Sequence, residues 1–166
     1  LSTSNIQHDE KQKVVVYMWL AALAMGDKNP LPRFTKFKSI LDDGHLRECL
    51  GLVTVSSLQK YSQNTADSDT IQKATELSTQ ASSAGKYVLA LFLLQSGSIE
   101  RAFVTVSRQV VDADCQVLIV RMLMGLRRVD GARVRVEEMR RRFGADEVRV
   151  QVAEACLIQP FEAVRF

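Results

Sequence analysis

Residues 120–155 read VRMLMGLRRVDGARVRVEEMRRRFGADEVRVQVAEA, and this stretch decides the fold class. Large aliphatic side chains recur three and four residues apart, which is the period of an amphipathic helix. The pattern predicts helices that end near Leu126 and Phe143, with Gly144 terminating the second. Small alanines stand where paired helices must touch. We therefore expect stacked helical hairpins, an arrangement typical of a scaffold rather than of an enzyme.

A small residue and a larger aliphatic one recur on paired helices along the second half of the chain. In one hairpin these residues are Ala90, Leu93, Ala102 and Val106, and in the next they are Val120, Leu123, Ala132 and Val136. Ala153 is placed to open a third unit. A small residue lets two helix backbones approach, and the larger one fills the gap beside it. This spacing, about thirty residues, predicts a tetratricopeptide-like repeat.

We therefore predict an all-α fold in which antiparallel helical hairpins stack as a tetratricopeptide-like α-solenoid. Residues 1–166 are expected to form a single helical-repeat domain. Within it we expect irregular helical hairpins over residues 1–84 and tetratricopeptide-like hairpins over residues 85–166. The chain begins at Leu1 and ends inside an apolar pattern at Phe166, so we expect it to be an excerpt of a longer solenoid.

Helical periodicity dominates the whole chain, and no alternating pattern predicts a strand. In the first half we expect helices over residues 9–25, 32–41, 45–61 and 69–83. In the second half we expect helices over residues 86–96, 98–110, 112–126, 130–143 and 146–157. Asp69 with Gln72 predicts a capping box for the fourth helix, and Asp112 is a candidate cap for the seventh.

The overall composition argues against several classes of protein. A formal net charge of +3 over 166 residues is too small to indicate a nucleic-acid partner. No apolar run approaches the roughly 20 residues that cross a bilayer, so no direct membrane insertion is expected. The three cysteines, Cys49, Cys115 and Cys156, form neither a disulfide framework nor a zinc motif. A reducing compartment is therefore expected.

His45 and Cys49 are the one candidate for catalytic chemistry, because residues four apart share a helix face. An imidazole that stabilises a thiolate can create a nucleophile. No third residue or oxyanion donor accompanies the pair, so a partly buried cysteine beside a surface histidine is favoured over a cysteine-dependent enzyme. His8 has no ligand partner at metal-binding spacing, and no glycine-rich phosphate loop is present. We therefore expect no catalytic, cofactor-binding or metal-binding residues.

The arginine-rich segment 121–142 is the strongest electrostatic feature of the sequence. Glu137 is spaced to form ion pairs with Arg140 or Arg141, and arginines at the end of a helix complement its macrodipole. Binding of nucleic acid needs a basic face with aromatic side chains for stacking, and Phe143 is the only aromatic residue nearby. The pattern favours a solvated outer face or an acidic protein partner over RNA binding.

The same stretch resembles the coatomer epsilon subunit family, tetratricopeptide-like proteins of the coat that forms on Golgi vesicles. The family pattern is an aliphatic helix, a Leu-x-Arg-Leu-Asp-x-Ala-Arg turn, a basic helix with a methionine, and a Gln-Leu-Ala-x-Ala helix. The matching residues are Val120, Leu123, Leu126, Arg128, Asp130, Ala132, Arg133, Met139, Gln151, Ala153 and Ala155. Cys156 stands where an aromatic residue commonly follows, and one extra residue is needed between Met139 and Gln151.

The resemblance implies a non-enzymatic scaffold subunit that is cytoplasmic and peripheral on Golgi membranes and coated vesicles. It implies binding to the C-terminal region of the coatomer alpha subunit, in support of Golgi-to-ER and intra-Golgi transport, with no cofactor. The alternatives are another tetratricopeptide-type adaptor, such as one that reads a peptide carboxylate, and an RNA-binding helical repeat.

A partner segment is expected along the concave side of the stack, which the first helix of each hairpin lines. Projecting the repeat onto the sequence predicts the partner-binding residues: Tyr87, Leu91, Leu94 and Gln95 on one helix, and Val117, Arg121 and Met124 on the next. Binding by such a surface depends on a few apolar anchors, with arginine providing orientation.

The substitution Leu91→Asp tests this projection. We expect it to weaken capture of the partner while the helical circular-dichroism signal persists, because a charge at an apolar contact site opposes binding more than folding. Simultaneous loss of the helix signal and of binding would show that Leu91 is a core residue instead.

Overall fold

The computed structural model describes residues 3–59 and 67–158, except for the side chains of residues 3–6 and 57–59. All regular structure within these ranges is helical, as predicted, and no strand occurs there. The α-helices are α1 (Thr3–Ala24), α2 (Lys38–Leu41), α3 (Leu46–Gln59), α4 (Ser68–Leu77), α5 (Ser83–Gln95), α6 (Ile99–Val106), α7 (Ala113–Gly125), α8 (Val129–Phe143) and α9 (Val148–Ile158). Two 3-10 helices, Leu31–Phe37 and Asp43–His45, flank α2.

The predicted capping box of α4 is wrong. Asp67, not Asp69, is the N-cap, and its carboxylate accepts a hydrogen bond from the amide of Thr70 at 2.7 Å. Asp69 lies in the first turn, where its charge complements the macrodipole, and Gln72 donates to Glu76 instead. Two aspartates at this spacing compete for the cap, and the earlier one starts the helix.

The same helix was predicted to extend to Ser83, but it ends at Leu77. The hydroxyl of Ser82 accepts a hydrogen bond from the amide of Gly85 at 3.2 Å and thereby caps α5. Ser83 is consequently the first residue of α5. The predicted boundary between the helices over residues 69–83 and 86–96 is therefore wrong, because the cap at Ser82 starts the second helix earlier than the sequence suggested.

The chain divides into two compact units, Leu1–Thr105 and Val106–Phe166. In the first unit α3 packs against α5, and α1 contacts both. Trp19 of α1 is buried in this core, with its ring centroid 5.1 Å from that of Phe34. Its indole N–H donates to the hydroxyl of Thr54 at 2.9 Å, which satisfies the one polar group of the ring.

In the second unit α7 packs against α8, and α9 packs against both of them. Only residues 126–128 connect α7 to α8, so these helices form a hairpin. Ala132 on α8 and Ala153 on α9 are fully buried. Small side chains at these positions allow the close helix approach that the sequence predicted.

The helices α5 and α7 share the same local design, 30 positions apart. Both contain 13 residues, and both begin after a side-chain cap. Asp112 caps α7 as predicted, because its carboxylate accepts a hydrogen bond from the amide of Cys115 at 3.0 Å. This bond is the counterpart of the Ser82 cap of α5.

Both helices also end in the same backbone motif. The amide of Ser98 donates to the carbonyl of Leu93, and the amide of Arg128 donates to the carbonyl of Leu123, each at 2.8 Å. These bonds close a Schellman motif, which ends a helix by reversing the chain. The thirty-residue spacing is therefore present in the local geometry, while the stacking of all hairpins into one solenoid stays a prediction.

A Schellman motif places one residue in the left-handed region of backbone conformation. In the motif that ends α5 this residue is Gly97, with φ of 78°. We expect Gly97→Ala to lower the free energy of unfolding by about 1 kcal/mol, because an L residue is strained at this φ. Gly51→Ala is the matched control within α3, where nothing lies within 4 Å of an added Cβ. The control should raise the same free energy by about 0.5–1 kcal/mol through helix propensity.

Both substitutions lie in the first unit, so urea unfolding followed by the fluorescence of Trp19, the single tryptophan, reports on both. Equal stability of the two variants would contradict the left-handed conformation as the reason for glycine at position 97.

Candidate protein-binding surfaces

Helices α7 and α9 lie side by side with a register of 35 residues. The guanidinium Nε of Arg149 on α9 donates to Oδ1 of Asp114 on α7 at 3.4 Å. Two turns further along, Cys156 on α9 lies close enough to Arg121 on α7 to feel its charge. Burial raises the pKa of the Cys156 thiol, and the charge of Arg121 opposes that shift. Both pairs are 35 positions apart, so the two helices run in the same direction. Successive first helices of a helical repeat have this parallel relation.

Between these two pairs in the sequence lie Val117 on α7 and Val152 on α9, again 35 positions apart. Val117 is half-buried and Val152 is 46% exposed. Val148, one turn before Val152, is 64% exposed. Together with Arg121 these three valines form a surface that we call the α7–α9 face. It offers apolar side chains beside one positive charge.

The predicted partner-binding residues of α7 differ in exposure. Val117 and Arg121 are half-buried and belong to the α7–α9 face. Met124 is only 3% exposed, so it offers little surface to another chain. The role of all three in binding stays a prediction.

The four predicted residues of α5 also lie in different environments. Tyr87 and Leu91 are half-buried, whereas Leu94 is buried. Gln95 is exposed, and its side-chain carbonyl accepts a hydrogen bond from the hydroxyl of Ser56 on α3 at 3.0 Å. Tyr87 and Leu91, one turn apart, are therefore the α5 residues that combine apolar character with partial exposure.

Val148 and Val152 are absent from the set that the sequence predicted. A spacing of thirty residues carries Val117 to residue 147, not to Val152. The repeat that begins with α7 is longer than the repeat that begins with α5, because its second helix α8 contains 15 residues whereas α6 contains only 8. A repeat comparison that allowed a longer second helix would have aligned Val117 with Val152.

The first unit carries a separate apolar strip on α1 and the turn residue that follows it. Val14, Met18, Ala21 and Met25 are all exposed, and Met25 is 87% exposed. Their spacings of four, three and four residues are those of a helix–helix seam. Exposed apolar strips of this kind are typical of contact sites, so α1 offers a second candidate surface.

The arginine-rich helix α8 contains the ion pair that its spacing predicted. Arg140 Nη1 lies 2.5 Å from Glu137 Oε1, and Nη2 lies 2.5 Å from Oε1 of Glu154 on α9. The hydrogen bond to Glu154, with the charge of Glu137, raises the pKa of the Arg140 guanidinium. Arg140 therefore links α8 to α9 across the surface of the second unit.

The geometry of His45 and Cys49 does not fit a nucleophilic pair. Cys49 is fully buried, and burial together with the charge of Glu48 raises the pKa of its thiol to about 12. Nδ1 of His45 lies 3.3 Å from Oε2 of Glu48, so the imidazole faces a carboxylate on the surface. A thiol with such a pKa is protonated at neutral pH and lacks the nucleophilic thiolate.

Comparison with protein-family models, with curated proteins and with solved structures found no match for this chain. The resemblance to the coatomer epsilon subunit family therefore stays a prediction from the sequence. Within the described ranges no three His, Cys, Asp or Glu side chains are grouped so that they could hold a metal ion. None of the described helices is both long and apolar enough to span a membrane.

The burial of Cys49 has a measurable chemical consequence. At neutral pH we expect iodoacetamide to alkylate Cys49 far more slowly in the folded chain than in urea, because the thiol is both inaccessible and protonated. Mass spectrometry of peptides after timed labelling measures this, with Cys115 and Cys156, also buried, as internal comparisons. Rapid labelling of Cys49 alone under native conditions would restore the case for a cysteine nucleophile.

Proposed function

We propose that this chain is a non-catalytic scaffold that binds another protein along the first helices of its helical hairpins. The observation that carries the proposal is the 35-residue parallel register of α7 and α9. This register brings Val117 level with Val152 and leaves apolar surface on both helices. Arg121, one turn beyond Val117, adds a positive charge to the same face.

The expected mechanism is burial of apolar side chains, with the arginine fixing the orientation of the partner. Covering the exposed part of one valine contributes on the order of 1 kcal/mol. Val148 and Val152 alone therefore give weak binding. A partner gains affinity by extending along several first helices, as segments bound by helical repeats do. A carboxylate of the partner that meets the Arg121 guanidinium would select one alignment of the two chains.

The partner that the sequence resemblance indicates is the C-terminal region of the coatomer alpha subunit. On this proposal the chain is cytoplasmic, associates with Golgi membranes and coated vesicles through that subunit, and supports vesicle transport between Golgi and ER. Its hairpins would then stack as one tetratricopeptide-like α-solenoid. The alternative is another tetratricopeptide-type adaptor, which uses the same face for a different protein.

Val152→Asp tests the binding face. Isothermal titration calorimetry with the purified C-terminal region of the coatomer alpha subunit should show at least about tenfold weaker binding, because covering the carboxylate without a partner costs more than about 1.4 kcal/mol. Val134→Asp is the matched control, since Val134 is 60% exposed on α8, outside the α7–α9 face. The control should stay close to the unsubstituted chain.

Equal losses in the two variants would contradict binding along this face. If the unsubstituted chain fails to bind the coatomer segment, the coatomer assignment is wrong. The unsubstituted chain, Val152→Asp and Val134→Asp are then used as baits to capture proteins from cytosol. A protein retained by the unsubstituted chain and by Val134→Asp, but lost from Val152→Asp, would support the adaptor alternative. Identical capture by all three would contradict the scaffold proposal itself.

A further inference from the structure

The second unit contains a groove of about 670 Å³ along the C-terminal half of α8. Its volume is within the range of pockets that bind ligands. The residues that line it are Val110, Gln116, Arg135, Glu138, Met139, Arg141, Arg142 and Phe143. None of them belongs to the α7–α9 face. The groove is therefore a different surface from the one on which the proposed scaffold function rests.

The spacing of the α8 side chains explains how one helix contributes most of this lining. Arg135, Met139 and Arg142 are separated by four and three residues, so they follow one face of the helix. Met139 is buried and Phe143 is half-buried, while Val110 in the segment before α7 is 39% exposed. The groove thus combines apolar surface with guanidinium groups.

The charges in the groove do not cancel. Arg135 Nη1 lies 3.1 Å from Oε2 of Glu138, so this pair is neutral as a unit. Arg141 and Arg142 are both exposed, and neither has an acidic partner among the described residues. The neighbouring Arg140, by contrast, forms ion pairs with Glu137 and Glu154. Within the part of the chain that the structure describes, two positive charges therefore remain uncompensated beside the apolar lining.

Dipole compensation alone explains arginines in the last turn of α8, but it requires neither a groove nor apolar neighbours. A single-stranded nucleic acid is a poor fit, because it needs several aromatic side chains for stacking and the lining contains only Phe143. A peptide with carboxylates next to an apolar side chain matches both the charge and the apolar surface.

We propose that this groove binds an acidic segment of a partner protein, with carboxylates on Arg141 and Arg142 and an apolar side chain against Val110 and Phe143. Arginine suits this role because its planar guanidinium can donate two parallel hydrogen bonds to one carboxylate. The open form of the groove suits an extended segment rather than an enclosed small molecule. This proposal does not depend on the function proposed for the α7–α9 face.

Fluorescence anisotropy with the full chain tests the proposal. The probe is a short fluorescein-labelled peptide in which glutamates flank a single leucine. Two comparison peptides replace the glutamates by glutamines or the leucine by serine. We expect saturable binding of the probe, with weaker binding of each comparison peptide. The affinity should also fall as salt rises from about 0.1 M to about 1 M, where the Debye length shortens from about 10 Å to about 3 Å.

The variant Arg141→Glu/Arg142→Glu should weaken binding of the probe by at least about tenfold, since both guanidinium contacts become repulsive. Arg133→Glu is the control, because Arg133 is exposed on the same helix but does not line the groove. The control should change the affinity by about twofold at most, through the net charge alone. If circular dichroism shows loss of helix in the double variant, Arg141→Gln/Arg142→Gln replaces it.

Equal losses in the double variant and in Arg133→Glu would overturn the proposal, because binding would then follow net charge and not the groove. Indifference to the leucine-to-serine change would overturn the apolar part of the contact. A single-stranded RNA oligonucleotide that binds more tightly than the probe and depends on the same two arginines would overturn the assignment of a protein partner.

Discussion

Close approach of helices at small side chains is the constraint on which the second unit depends. Ala132 and Ala153 are fully buried, and α9 packs against both helices of the preceding hairpin. Larger side chains at these positions would force the helices apart or strain the core, at a typical cost of about 1–3 kcal/mol. A displaced α9 would separate Val152 from Val117, and the α7–α9 face would no longer be continuous.

The ion pairs of the second unit favour one register of α9 against α7 and α8, and they contribute little to stability. Arg149 connects Asp114 to Glu147, and Arg140 connects Glu137 to Glu154. Exposed pairs of this kind contribute only about 0–1 kcal/mol each. Their geometry is nevertheless specific, because a guanidinium between two carboxylates is satisfied at one alignment of the helices. The apolar contacts hold α9 in place, and the arginines favour one register over its neighbours.

Close approach in the first unit has a chemical consequence. A Cβ added to Gly85 on α5 would lie 3.2 Å from the sulfur of Cys49 on α3. Glycine at this position therefore lets α5 lie against the thiol, which is fully buried and has a raised pKa. The sequence spacing of His45 and Cys49 allowed a nucleophile. The close packing of Gly85 against the sulfur, together with the contact of His45 with Glu48, does not favour a nucleophilic thiolate at Cys49.

The sequence by itself determined the helical class, most helix bounds and the cap at Asp112, because these depend on bonds between residues near in the chain. It failed at Asp69, where two aspartates offered nearly the same local cap. Only the tertiary structure decided that Val152 lies level with Val117, and that Arg141 and Arg142 share a groove with Val110. Apolar periodicity fixes which side of one helix is buried. The register between two helices depends instead on how their side chains interlock, and no single segment of the sequence carries that information.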